Sequence, residues 1–134
     1  MLLSSSTGKR HCTNTNYNVT YDEDKSFGDS AYDVYGTEDH ISEEIMINGP
    51  VEASFLVYED FLTYKSGVYE HVAGEYLGGH AVRIIGWGME NVNLSYWLAV
   101  NSWNDGWGEG GYFKIKRAWN ECGIEGSIVA GMPK

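Results

Sequence analysis

Cysteine, proline and basic residues are scarce in this chain, and each shortage narrows what it can be. The two cysteines, Cys12 and Cys122, stand near opposite ends of 134 residues. No histidine or cysteine lies three or four residues from another in a ligand pattern, so neither a structural zinc site nor any other cofactor is expected. Nine lysines and arginines face nineteen aspartates and glutamates, a formal net charge of −10. Without a basic cluster, nucleic acid and anionic membrane are not expected partners. No run approaches the about 18 apolar residues of a membrane-spanning helix. Met1 to Arg10 holds two leucines and then serines, too short an apolar run for a secretory leader, and residues 1–12 are expected to be a frayed segment. With two prolines and no helical periodicity after Pro50, the body reads as β-rich.

What is abundant agrees. Seventeen glycines and 14% aromatic residues exceed ordinary usage and suit strands joined by tight turns. Two segments dominate: Gly78-Gly79-His80-Ala81-Val82-Arg83-Ile84-Ile85-Gly86-Trp87-Gly88 and Tyr96-Trp97-Leu98-Ala99-Val100-Asn101-Ser102-Trp103. Each is β-branched, apolar and aromatic over the length of a strand, and turn formers lie between them, so an antiparallel pair is predicted. If Trp87 pairs with Leu94, His80 falls opposite Asn101, close enough for the amide oxygen to accept a hydrogen bond from the imidazole. A neutral partner fixes the tautomer and ring angle of a histidine without adding charge, which suits a base paired with a thiol.

The triplet Asn101-Ser102-Trp103, continued by Asn104-Asp105-Gly106-Trp107-Gly108-Glu109-Gly110-Gly111, resembles the asparagine segment of papain-family cysteine peptidases, and Gly78-Gly79-His80-Ala81 resembles their histidine segment. Asn48-Gly49-Pro50-Val51-Glu52, Tyr64-Lys65-Ser66-Gly67-Val68-Tyr69 and Cys122-Gly123-Ile124-Glu125 follow the cathepsin B-like branch in the same order. The resemblance runs from about Cys12 to Lys134 and covers the second half of such an enzyme. The family's nucleophile lies in a Gln…Cys-Gly-Ser-Cys-Trp segment, with the histidine some 130–150 residues downstream. Here 79 residues precede His80, and that segment is not among them.

The resemblance implies an α+β, papain-like fold. Residues 13–134 would form the right-hand, β-barrel-like domain of antiparallel strands with one N-terminal helix, and the left-hand helical domain would be missing. It implies a cysteine-type endopeptidase or dipeptidyl carboxypeptidase, lysosomal or extracellular, acting on peptides and proteins, with cystatin-type inhibitors and the missing half as further partners. His80 would be the catalytic base, Asn101 its orienter and Trp103 the indole covering their hydrogen bond. Ser54, Ala81 and Ser127 would line the pocket for the second residue before the scissile bond, and Val57, Leu62 and Leu77 the leaving-group side. Ser127 stands where cathepsin B carries an acidic residue that accepts arginine; a neutral serine favours apolar residues there. Cys12 resembles a disulfide cysteine whose partner lies upstream. The isolated chain is expected to be inactive.

The remaining stretches are read from their residues. Thr13 to Gly36, polar and rich in tyrosine, reads as a surface strap with one or two short strands. Thr37 caps a helix to Ile47 whose buried face carries Ile41, Ile45 and Met46 or Ile47. Val51 to Tyr58 reads as a largely buried strand and Glu59 to Tyr64 as a helical turn. Val68-Tyr69, Leu77 to Gly88, Leu94 to Trp103, Tyr112 to Arg117 and Ser127 to Met132 supply strands enough to close a barrel. Asn18-Val19-Thr20 and Asn93-Leu94-Ser95 match the glycosylation pattern. His40 and His71 read as surface residues, and Cys122 as a buried structural thiol. Two other classes stay open: a non-catalytic relative that binds peptides or peptidase inhibitors, and an aromatic β-domain that binds carbohydrate. A nucleophile-bearing segment encoded upstream separates the first from a peptidase, and glycan binding tests the second.

Overall fold

The computed structural model describes residue 11 and residues 14–134. Most of the segment expected to fray, and the disulfide expected of Cys12, therefore lie outside the described residues. The strap carries one strand, β1 (Gly28–Asp33), and leads into α1 (Glu38–Asn48). Thr37 is extended ahead of α1 and donates its N–H to Nδ1 of His40, 3.2 Å away, so His40, though exposed, has a role in closing the helix start. Glu38 and Asp39 occupy the first turn, where the helix dipole favours negative charge. Gly49, at φ 103°, ends the helix by donating to the Ile45 carbonyl.

After α1 come β2 (Val51–Tyr58), the single turn α2 (Glu59–Leu62), β3 (Val68–Tyr69), the long β4 (Tyr76–Asn91), β5 (Leu94–Val100), β6 (Tyr112–Lys116) and β7 (Ile128–Pro133). They form one seven-stranded sheet in the order β1-β7-β2-β4-β5-β6-β3. The class is α+β, as expected. The sheet, however, is open, and β3 runs parallel to β6. Closure fails because β3 is two residues long and cannot offer a second ladder, which leaves β1 and β3 as the two edges.

The core lies on one face of this sheet. Along β2 burial alternates strictly: Val51, Ala53, Phe55 and Val57 point inward, while Glu52, Ser54 and Leu56 are exposed. The strand is thus half-buried rather than sunk in the interior. Ile84, Trp97, Phe113, Ile115 and Phe61 are fully buried, and Ile41 and Ile45 of α1 pack over them. Each such side chain contributes about 1.5–3 kcal/mol by leaving water. Met46 and Ile47 are exposed, and the third buried position of the helix is Ser42, whose Oγ accepts a hydrogen bond from Arg117 Nη2 at 3.0 Å.

Candidate active site

His80 sits in β4, where its lateral partner is Phe55 of β2. The β4–β5 register differs from the expected one: Trp87 pairs with Trp97 and Arg83 with Val100, with a bulge between Ile84 and Gly86. β5 ends one residue before Asn101. The hairpin therefore does not place His80 opposite Asn101. The turn of the chain after Val100 does, and Nε2 of His80 lies 2.9 Å from Oδ1 of Asn101. The difference starts at the turn: β4 runs on to Asn91 and only Val92 and Asn93 separate it from β5, and the irregularities at Met89/Asn91 and Ile84/Gly86 then each shift the pairs beyond them.

The asparagine is fixed from its own backbone. Asn101 is 8% exposed, its N–H donates to the Gly111 carbonyl at 2.9 Å, and its Oδ1 accepts the Ser102 N–H at 2.8 Å. A backbone N–H can only donate, so the atom it meets is the amide oxygen rather than the nitrogen. The ring nitrogen that faces the same oxygen must then carry the hydrogen. His80 is accordingly the Nε2–H tautomer when neutral, and Nδ1 keeps its lone pair for a proton. Trp103 lies over the ring, centroids 5.1 Å apart and 27° from parallel, and Phe55 meets it edge-on. Trp103 is braced by Phe61 at 5.4 Å and Trp107 at 5.1 Å, while Trp107 donates Nε1–H to the Leu62 carbonyl at 3.2 Å.

The loop between Trp103 and β6 needs its glycines. Gly108 has φ +59°, and a Cβ there would lie 2.6 Å from the Tyr112 carbonyl oxygen. Glu109 ties this loop to the turn after α2: its Oε1 accepts the Gly67 N–H at 2.9 Å and lies 3.0 Å from the Tyr64 hydroxyl. Burial pushes the Tyr64 hydroxyl pKa up to about 12, so it stays neutral as a structural donor.

Ser54 and Ala81 are register partners across β2 and β4, and the Ser54 N–H donates to the Ser127 carbonyl at 3.1 Å. All three are exposed on the outer face of the sheet, beside a groove of about 630 Å³ that Asn101, Ser102, Arg83 and Glu52 help to line. Leu62 is exposed and Leu77 half-buried against the core. Val57 is 0% exposed and points into the core, so its side chain does not reach this surface. Its neighbour Leu56 does, at 42% exposure, and strand alternation around Ser54 is the signal that finds it. Trp107 was visible only as a second tryptophan in the glycine-rich run.

Cys122 is half-buried and unpaired, with Sγ 3.4 Å from Oε1 of Glu121. Burial, and then the neighbouring carboxylate, push its thiol up to about 12, so it is no thiolate near neutral pH. His71 is not a bare surface residue: it stacks on Tyr58 and its Nδ1 lies 3.1 Å from Asp60.

The chain as a whole has counterparts among known proteins. The profile of the papain family cysteine proteases matches residues 4–132. Cathepsin B-like cysteine proteinase 4 of Caenorhabditis elegans is 58% identical over 123 residues, which are 92% of this chain and 36% of that protein. The cathepsin B-like cysteine proteinase of Schistosoma japonicum is 54% identical over 118 residues, 88% of this chain and 34% of that protein. Among solved structures, procathepsin B of Trypanosoma congolense superposes with a TM-score of 0.77 at 44% identity, over 82% of this chain and 37% of the other. The chain thus spans about a third of the length of these relatives.

Proposed function

The chain belongs to the papain family of cysteine proteases, and from that membership we propose that it is the second half of a cathepsin B-like peptidase. In this reading residues 13–134 carry the histidine and asparagine of the active site, and the thiol comes from a segment outside these 134 residues. The carrying observation is the 2.9 Å contact of His80 Nε2 with an asparagine oxygen whose orientation the Ser102 N–H fixes. It leaves Nδ1 as the atom that exchanges protons.

Nδ1 of His80 takes the proton of the cysteine thiol, and the resulting imidazolium and thiolate stabilise one another. The thiolate sulfur attacks the peptide carbonyl carbon, and the C–N bond breaks as Nδ1 returns its proton to the leaving amine. Water then adds to the thioester, its proton passing to Nδ1, and the acid departs as the sulfur leaves. Asn101 holds the ring throughout, and Trp103 keeps water from competing for the hydrogen bond. Hydrogen-bond donors for the oxyanion would come from the other half.

Ser54, Ala81 and Ser127 would then face the second substrate residue before the cut, and Leu62 and Leu77 the leaving-group side. The other half would dock along the outer face that carries Glu52 and Arg83, and the whole enzyme would work in a lysosome or outside the cell. The test is a two-domain enzyme built by joining this chain to the amino-terminal half of a cathepsin B-like relative. His80→Ala should lower kcat/KM far more than Asn101→Ala, because only the former removes the proton carrier; proton transfer alone is worth about 10²–10⁴-fold. Equal losses would sink these roles.

A further inference from the structure

We infer that Glu125 is a positioning residue for the pocket wall that ends in Ser127, setting substrate preference without touching substrate; the inference rests on the placement of Ser127 proposed above. The stretch leading to Ser127 has an unfavourable backbone. Ala118, Asn120 and Cys122 all take positive φ, at 68°, 49° and 50°, and Gly123 follows at 78°. Such values are uncommon outside glycine, and three in five residues do not persist unless the surroundings impose them.

One carboxylate holds two of them. Oε1 of Glu125 accepts the Ala118 N–H at 2.7 Å and the Trp97 indole N–H at 2.8 Å, and Oε2 accepts the Asn120 N–H at 2.9 Å. Asn120 answers with its own Oδ1, which accepts the Glu125 N–H at 2.9 Å. Two of the three left-handed residues are thereby tied to a side chain anchored on Trp97, which is fully buried. Two residues further on, the Ser127 carbonyl accepts the Ser54 N–H and the Ile128 carbonyl accepts the Val34 N–H. Glu125 therefore joins the rigid core to the strand entry that carries the pocket wall.

Three donors meeting two oxygens need a carboxylate of this length. Glutamine offers one oxygen and turns an N–H₂ towards one of the donors, and alanine leaves all three without a partner.

The experiment uses the two-domain enzyme and matched dipeptidyl substrates with phenylalanine, arginine or glycine at the second position before the cut. Glu125→Ala should reduce the phenylalanine-over-arginine preference in kcat/KM about tenfold, Glu125→Gln less, with kcat on the glycine substrate kept within about twofold. Hydrogen exchange should quicken at the Ser54 amide ahead of its β2 neighbours. If Glu125→Ala gives no folded enzyme, Glu125→Gln decides alone. Proportional loss on all three substrates, or an unchanged preference, overturns the inference. Ser127→Glu separates the two levels. A preference that responds to Ser127→Glu but not to Glu125 variants rejects the positioning role and keeps the pocket, whereas no response to either rejects the pocket itself.

Discussion

His71 lies flat on Tyr58, ring centroids 3.8 Å apart and 15° from parallel, and this stack presents the imidazole to Asp60. Asp60 also accepts hydrogen bonds from the Tyr69 hydroxyl at 2.7 Å, the Val72 N–H at 2.9 Å and the Ala73 N–H at 3.2 Å. A single carboxylate thus clasps the segment between β3 and β4, which runs on to Tyr76, Leu77 and His80.

Burial alone raises the Asp60 pKa, but the donors from Val72, Tyr69, Ala73 and His71 outweigh it and hold the carboxyl well below the usual range. Because the folded value is depressed, the linked stability is complete above the unfolded pKa of about 3.9 and is lost as pH falls towards the folded one. Asp60→Asn should cost about 2 kcal/mol at pH 7, the scale of a hydrogen-bonded charge. Between pH 5 and pH 3 the gap to the parent should narrow by about 1 kcal/mol, since the unfolded carboxylate protonates first. Urea unfolding of the two-domain enzyme at both pH values measures this; a gap that widens on acidification contradicts it.

Cys122 should be nearly inert. With its thiol pushed up to about 12, the thiolate fraction at pH 8 is on the order of 10³ below that of a free cysteine near 8.5. Iodoacetamide should label Cys122 correspondingly slowly in the folded protein and at the ordinary rate in urea, as read by peptide mass. Fast labelling of the folded protein would mean that the thiol is not held by its surroundings.

Ser127→Glu supplies a negative charge at the pocket wall. In the two-domain enzyme it should raise relative turnover of substrates with arginine at the second position before the cut by about tenfold at pH 6–7, and less below pH 4, where the carboxylate is protonated. An arginine-to-phenylalanine ratio that ignores both the substitution and pH would place Ser127 away from substrate.

How far the sequence could be read depended on range. The apolar run Val51–Tyr58 and the helix start at Thr37 are local signals, and the strand and helix they predict are present to within a residue or so, although the strand proves half-buried. Pairings are not local: β4 continues to Asn91 before the chain turns, so Trp87 meets Trp97 rather than the expected Leu94, yet His80 still reaches Asn101 because the chain leaves β5 after Val100. Open edges at β1 and β3, and carboxylate hubs at Asp60 and Glu125, depend on several segments meeting in space. Nothing in the acidic residues of Asp60 or Glu125 marks them apart from the other seventeen.

The last prediction concerns the chain by itself. Its core covers one face of the sheet, while the other presents Leu56, at 42% exposure, with Ala81 and Val129 flanking the charges of Glu52 and Arg83. In the proposed enzyme this face packs against the other half. At about 25 cal/mol per Å², leaving several hundred Å² of apolar surface in water forgoes several kcal/mol, comparable to the roughly 5–15 kcal/mol that holds a domain folded. Patches of that size also drive association. The isolated chain should therefore associate or unfold with low cooperativity despite its net charge of −10, and should cleave no peptide. Joined to an amino-terminal half, it should be monomeric. Size-exclusion chromatography with urea titration distinguishes these outcomes. A stable monomer of the chain alone, unfolding in one sharp transition, would show this half to be self-sufficient and favour a non-catalytic binding role over a divided enzyme.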